Sequence, residues 1–228
     1  MIVVGFCGRA RTGKSTLCRE LYAAAEHKGW DVEILPFAGP LKRAAEAAGC
    51  GKAENPEGYR KYCQTHGAGE RAKNPDHWLN LWEADLKNLA KASYEEDRPL
   101  LVLADDVRYE NELKLLIQHR AVVAFVKHGS RTIEDPNGEW RQHESEHLAN
   151  AYEVSDKQSL YRQGFNYVIE NDKGTDHLGM WAEAFVDGLS DAESCTCEGC
   201  MAMFEHRQFD VKKILDEIDK EKDEENDT

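Results

Sequence analysis

Residues 2–16 read IVVGFCGRARTGKST, and this segment is the strongest indication of the fold. Its first part, Ile2 to Phe6, is a short apolar run of the kind that forms a buried strand, and residues 14–28 carry apolar side chains at helical spacing. Between them, GRARTGKS at residues 8–15 matches the pattern G-x-x-x-x-G-K-[S/T]. This pattern predicts a phosphate-binding loop (P-loop), because glycines let successive backbone N–H groups converge on phosphate oxygens at a helix N-terminus.

Each position of the loop has an expected role in binding a nucleoside triphosphate. Lys14 would bridge the outer phosphates, and the hydroxyl of Ser15 would ligate Mg²⁺. The residues expected to bind the nucleotide are Gly8, Arg11, Thr12, Gly13, Lys14, Ser15 and Thr16. The motif alone does not distinguish a kinase from a GTPase, an ATPase or a sulfotransferase-like protein, so other residues must decide.

Strand and helix patterns alternate along the rest of the chain. We predict strands at 32–36, 99–104, 121–127 and 167–170, helices at 14–28, 40–48, 110–118 and 176–189, and two helical pieces within 57–93, broken at 67–75. The βαβα order predicts an α/β fold in which a parallel sheet carries helices on both faces, in three layers α/β/α. We expect one domain over residues 1–190 and a cysteine-containing, then acidic, tail over 191–228.

Composition and charge restrict the possible partners. The 228 residues are 41% hydrophobic and 32% charged, which is typical of one globular domain. No apolar run approaches the ~20 residues that span a bilayer, and the N-terminus lacks the basic region of a signal peptide, so we expect a cytoplasmic protein without a membrane partner. The net charge of -14 opposes broad capture of nucleic acid. The seven cysteines are expected to be reduced.

Polar residues end the strongest apolar run. Asp105 and Asp106 stand where this kind of fold places a carboxylate beside Mg²⁺ and the nucleophile, so Asp105 joins Ser15 as a candidate metal ligand. Arg108 would aim a planar, two-pronged donor at a pair of phosphate oxygens. The alternatives are a solvated strand end for the aspartates and a surface ion pair for Arg108.

Further segments carry a resemblance to a known family. They are FAGPLK at 37–42, Arg60 with Gln64, Gly67, Arg71, Asp76 and Trp78, DVRYENE at 106–112, His143-x-Ser145-Glu146, and Ile169-x-Asn171-Asp172-x-Gly174-Thr175. Together with the P-loop, they make the chain resemble the phage-type deoxynucleoside monophosphate kinases, in the same order along the chain and over roughly residues 1 to 190.

The resemblance implies a P-loop kinase-type sheet, ATP with Mg²⁺ as the phosphate donor, and a deoxynucleoside 5′-monophosphate as the acceptor. It implies catalytic roles for Lys14, Asp106, Arg108 and Arg131, with Arg131 as a candidate lid arginine. The residues that it implies for acceptor binding are Phe37, Lys42, Arg71, Trp78, Asp106 and Arg108. For Trp78 the alternative is core packing. The family is often dimeric, so a homodimer is possible here too.

Other functions remain open at the level of sequence. The acceptor could instead be a hydroxymethylated pyrimidine (5-hydroxymethyluracil) in phage DNA, although the net charge argues against DNA. A second alternative is an ATP-binding regulatory protein whose acidic tail binds a partner. His143 and Glu146 either position a lid or are structural. Cys195, Cys197, Cys200 and His206 either bind zinc or form a cluster of free thiols.

Overall fold

A computed structural model of the chain describes residues 1–96, 98–127, 146–172 and 174–194. The predictions for Arg131, for His143, for the cysteine cluster and for the acidic tail lie outside these residues. The elements in chain order are β1 Ile2–Cys7, α1 Lys14–His27, β2 Asp31–Ile34, α2 Gly39–Ala47, α3 Pro56–Lys73, α4 His77–Glu96, β3 Leu100–Val107, α5 Glu110–Gln118, β4 Val122–Lys127, α6 His147–Glu153, α7 Lys157–Arg162, β5 Tyr167–Glu170 and α8 Thr175–Ser194.

The five strands form one sheet in the order β2-β3-β1-β4-β5, and all four neighbouring pairs are parallel. The central strand β1 pairs with β3 on one side and with β4 on the other, so that Val4 lies opposite both Leu103 and Val122. Near-continuous burial along β1, β3 and β4 is what a parallel sheet covered on both faces requires.

Alternate residues of each strand enter two separate hydrophobic cores, because successive side chains of a strand point to opposite faces. One core combines Val3 with Trp82 of α4. The other combines Val4 with Leu17 of α1 and Val186 of α8. Helices therefore cover both faces, which confirms the predicted three-layer α/β/α fold of the P-loop kinase type.

The chain order places a crevice at one edge of this sheet. From β1 the chain passes to β2 on one side, and from β3 it crosses over β1 to reach β4 on the other. Ligands of open α/β sheets bind outside the carboxyl ends of the strands at such a reversal of direction. The P-loop follows β1 and the pair Asp105–Asp106 lies near the end of β3, so both are at this edge.

The predicted break of the long helical region at 67–75 is wrong over residues 67–73. Helix α3 continues through Gly67 to Lys73, and the break is confined to residues 74–76. A Cβ atom at Gly67 would lie 2.8 Å from Leu41 Cδ2, so this glycine lets α2 approach α3 and does not end the helix. The indole N–H of Trp78 donates to the Gly67 carbonyl at 3.1 Å.

Two short helices, α6 and α7, were not predicted. They have seven and six residues, too few to show a helical repeat of apolar positions. Strand β3 is longer than predicted and includes Asp105 and Asp106. Among the residues that the structure describes, no helix combines the length and apolarity needed to cross a bilayer.

Candidate active site

The P-loop adopts a backbone conformation that depends on its glycines. Gly8 and Gly13 have φ angles of 145° and 105°, in a region that side chains disfavour. A Cβ atom at Gly8 would collide with the carbonyl oxygen of Val126, and one at Gly13 would lie 2.5 Å from Asn171 Nδ2. Arg11 also has a positive φ, of 64°. The P-loop therefore packs closely against β4 and against Asn171, the residue after β5. The N–H groups of the loop lie at the start of α1.

The side chain of Lys14 is buried against the backbone of the P-loop. Its Nζ donates to the carbonyl oxygens of Gly8 and Arg9, both at 2.7 Å. Burial lowers the pKa of Lys14, and the nearby Arg108 lowers it further. The ammonium is therefore held inside the loop, where it can neutralise the outer phosphates of a nucleotide.

Ser15 and Asp105 provide the oxygens of the candidate metal site. The Ser15 hydroxyl donates to Asp105 Oδ2 at 2.7 Å, so two hard oxygen donors from separate elements converge beside the loop. Among the described residues, no cluster of three or more His, Cys, Asp or Glu side chains could hold a metal ion. This donor set fits Mg²⁺, which is usually bound by one or two carboxylates together with waters and phosphates.

Asp106 has other partners than Asp105 and anchors the connection between β2 and α2. Its carboxylate accepts from the backbone N–H of Phe37 at 2.6 Å and of Ala38 at 3.1 Å, and Lys42 Nζ lies 3.9 Å away. Burial raises the pKa of Asp106, while Lys42 opposes this rise. The structure therefore places Asp106 where it positions backbone, and its predicted catalytic role remains a prediction.

Arg108 is joined to the P-loop through a carboxylate. Its Nη1 donates to Glu146 Oε1 at 2.7 Å, and Glu146 Oε2 accepts from the backbone N–H of Ala10 at 2.9 Å. The Arg108 backbone N–H in turn donates to Glu112 Oε2 at 2.7 Å. Burial raises the pKa of Glu112 to about 8. Glu112 was not predicted as a site residue.

Arg108 also lines an open cleft of about 910 Å³. Its lining includes Arg71 of α3 together with Arg108 and Tyr109 of the connection between β3 and α5. The Arg71 guanidinium stacks over the Tyr109 ring at 4.1 Å, which fixes its direction. Asn111, also in the lining, donates to Asp76 Oδ1 at 2.8 Å and so ties the α3–α4 connection to α5. Two arginines therefore face a space large enough for a small anionic molecule.

Four residues predicted to bind the acceptor are not among the described residues that line this cleft: Phe37, Lys42, Trp78 and Asp106. Phe37 and Trp78 are only 2% and 4% exposed. Phe37 stacks on Trp82 with ring centroids 4.2 Å apart. Both aromatic side chains are buried in the core, and Lys42 lies near Asp106. Direct contact of these residues with an acceptor remains a prediction.

Asn171 is a loop-positioning residue whose role the sequence did not reveal. Its Nδ2 donates to the carbonyl oxygen of Thr12 at 3.0 Å, and the side chain is buried. The C=O and N–H of one planar peptide unit point in opposite directions. Holding the Thr12 carbonyl therefore turns the N–H of Gly13 the other way. The sequence feature that could have indicated this role is an asparagine directly after a strand, at the sheet edge where the P-loop lies.

Comparisons with known proteins found only distant structural similarity. No protein-family model matches the sequence, and no curated protein sequence matches it. The shikimate kinase from Acinetobacter baumannii, solved in complex with shikimate, is similar over 84% of this chain and 92% of its own, with 13% identity and a TM-score of 0.39. The shikimate kinase from Aquifex aeolicus is similar over 83% of this chain and 98% of its own, with 11% identity and a TM-score of 0.38. At such low TM-scores, these similarities carry no functional assignment.

Proposed function

We propose that the protein is a Mg²⁺-dependent phosphotransferase that moves the γ-phosphate of ATP to a nucleoside or deoxynucleoside monophosphate. One observation carries the proposal. Arg108 lies between the P-loop, to which Glu146 joins it, and a cleft that it lines together with Arg71. A donor phosphate in the loop and an acceptor phosphate in the cleft would both be within reach of cationic side chains at this junction.

The residues of the chain would act by positioning and by neutralising charge. Loop N–H groups and Lys14 bind the donor phosphates, and the arginines hold the acceptor phosphate in line with them. Ser15 and Asp105 would hold Mg²⁺, which, when bound, neutralises charge on the donor phosphate oxygens. An ionised phosphate acceptor is already a nucleophile, so the protein needs no general base to activate it.

A second candidate acceptor is a hydroxymethylated pyrimidine in DNA, and Glu146 is the observation that favours it. A hydroxyl acceptor must lose a proton during transfer, whereas an ionised phosphate oxygen has none to lose. The Glu146 carboxylate lies beside Arg108 at the P-loop and is the candidate base for such a proton. The net charge of -14 argues against a DNA substrate, and for this reason the monophosphate is the primary proposal.

The proposal is tested by ADP release from ATP and Mg²⁺ with a panel of acceptors. The panel contains deoxynucleoside monophosphates, modified pyrimidine monophosphates, and DNA with and without 5-hydroxymethyluracil. Lys14→Ala should lower turnover by about 100-fold or more, because it removes the cation that stabilises the transferring phosphate. Lys28→Ala is the matched control, since Lys28 forms a surface ion pair with Asp187. Arg108→Ala should chiefly raise the acceptor KM. Near-normal turnover in Lys14→Ala would refute the proposal.

A further inference from the structure

The carboxylate of Glu146 lies in a place built for an anion. Its two oxygens have different partners, the Ala10 N–H of the P-loop at 2.9 Å and the Arg108 guanidinium at 2.7 Å. Its side chain is only 8% exposed, although it comes from a part of the chain 136 residues away from Ala10. A glutamate buried in this way must have its charge compensated by these donors.

The partners of Glu146 are groups that bind phosphate in other proteins. Backbone N–H groups of a P-loop and a two-pronged guanidinium both recognise phosphate oxygens through short, charge-assisted hydrogen bonds. A carboxylate offers two coplanar oxygens and a negative charge, and so satisfies the same donors. The Ala10 N–H has one hydrogen, so it cannot form well-aligned hydrogen bonds to a carboxylate and to a phosphate at the same time. Two anions side by side would also repel each other.

We propose that, in the ligand-free protein, Glu146 occupies the position of a phosphate oxygen between Ala10 and Arg108, and that a triphosphate binds by displacing it. The inference rests on the proposed function, since it takes the loop and Arg108 as the phosphate site. Displacement lowers the affinity for the first ligand and releases Arg108 for the second. Donor and acceptor then bind with positive cooperativity, because the second ligand meets a site already cleared.

The opposite role for Glu146 makes the opposite prediction. If the carboxylate stayed in place and held Arg108 toward a bound phosphate, its removal would weaken anion binding. If it is a competitor, its removal strengthens anion binding. The sign of the change in affinity therefore decides between a competitor and a support.

The experiment is calorimetric titration of the full chain with inorganic tripolyphosphate in the presence of Mg²⁺. Glu146→Gln keeps the size of the side chain and removes its charge, and it should bind tripolyphosphate about tenfold more tightly than the wild type. Glu170→Gln is the control for net charge alone, since Glu170 forms a surface ion pair with Lys157 at 3.1 Å, and its affinity should match the wild type. Glu146→Asp, whose shorter side chain cannot span both partners, should also bind more tightly.

The outcomes separate this inference from the proposed function. Thermal unfolding first shows which variants are folded, and either Glu146 variant suffices for the test. Equal or weaker binding by a folded Glu146 variant overturns the inference, and so does tightening of the same size in Glu170→Gln. If the wild type binds tripolyphosphate and Lys14→Ala loses that binding, the proposed site stands even when the inference fails. A wild type that does not bind tripolyphosphate overturns both.

Discussion

Replacing Asn171 with alanine isolates one contact that aims the P-loop. The substitution removes the hydrogen bond from Asn171 Nδ2 to the carbonyl oxygen of Thr12, which is 3.0 Å long and buried. The substitution also opens space beside Gly13, because a Cβ atom added at Gly13 would lie 2.5 Å from Asn171 Nδ2. The peptide unit between Thr12 and Gly13 then loses the contact that fixes its plane. We expect the N–H of Gly13 to turn away from the phosphates in part of the population.

The size of the effect follows from the groups involved. A buried hydrogen bond contributes about 1 kcal/mol to stability, and a carbonyl left unpaired costs about 1–3 kcal/mol. Among the described residues, Asn171 Oδ1 has no hydrogen-bond partner, so its removal offsets part of this cost. We expect a net loss of about 1–2 kcal/mol in the free energy of unfolding. One hydrogen bond to a charged phosphate is worth about 1.5–3 kcal/mol, which predicts ATP binding weaker by about 10- to 100-fold.

The assay combines urea unfolding with titration of ATP in the presence of Mg²⁺. Asn166→Ala is a matched control, because Asn166 Oδ1 accepts from the Val123 N–H at 2.7 Å and also ties β4 to the region of β5, at the end away from the P-loop. It should lose similar stability and keep the wild-type affinity for ATP. A loop-positioning role for Asn171 is contradicted if Asn171→Ala binds ATP as the wild type does, or if both variants lose affinity equally.

Two further predictions concern pH and the metal ion. Burial raises the pKa of Glu112 from 4.5 to about 8, so the folded state holds a proton that the unfolded state releases. The stability contribution is complete below pH 4.5 and is lost as the pH rises through about 8, so the free energy of unfolding from urea melts should fall by up to about 1.4 kcal/mol per pH unit in this window. Glu112→Gln should flatten that slope, and an unchanged slope would contradict the assignment. Ser15→Ala removes the hydroxyl beside Asp105 and should raise the Mg²⁺ concentration for half-maximal turnover by about tenfold. Ser93→Ala is the control, because it removes a surface hydroxyl that donates to the Arg98 carbonyl, and it should leave the Mg²⁺ dependence unchanged. Equal Mg²⁺ dependence in both variants argues against the metal site.

Local patterns were enough to predict the layers of the fold. The run Ile2–Phe6, the glycine loop and the helical spacing after Lys14 are consecutive in the chain, so the strand-loop-helix unit is visible without tertiary information. Gly67 misled the prediction because glycine is permissive, and its role depends on a contact with Leu41 of another helix. The pattern of apolar residues does not contain that contact.

The site could be predicted only where its residues are close in sequence. Lys14 and Ser15 follow from the loop motif alone. The contact of Asn171 with Thr12 joins residues 159 apart, and that of Glu146 with Ala10 joins residues 136 apart. Two neighbouring aspartates at a strand end also look alike in sequence. Their different partners, Ser15 for Asp105 and two backbone N–H groups for Asp106, emerge only when the chain is folded.

We propose above that the protein transfers the γ-phosphate of ATP to a nucleoside monophosphate. The most direct test incubates the protein with Mg²⁺, ATP labelled in its γ-phosphate and the panel of acceptors, and then separates the products. The proposed reaction predicts label in a nucleoside diphosphate with the wild type, loss of that product with Lys14→Ala, and, with Arg108→Ala, a product that needs a higher acceptor concentration to form. Label that appears only in inorganic phosphate, only in modified DNA, or nowhere beyond ATP would contradict it.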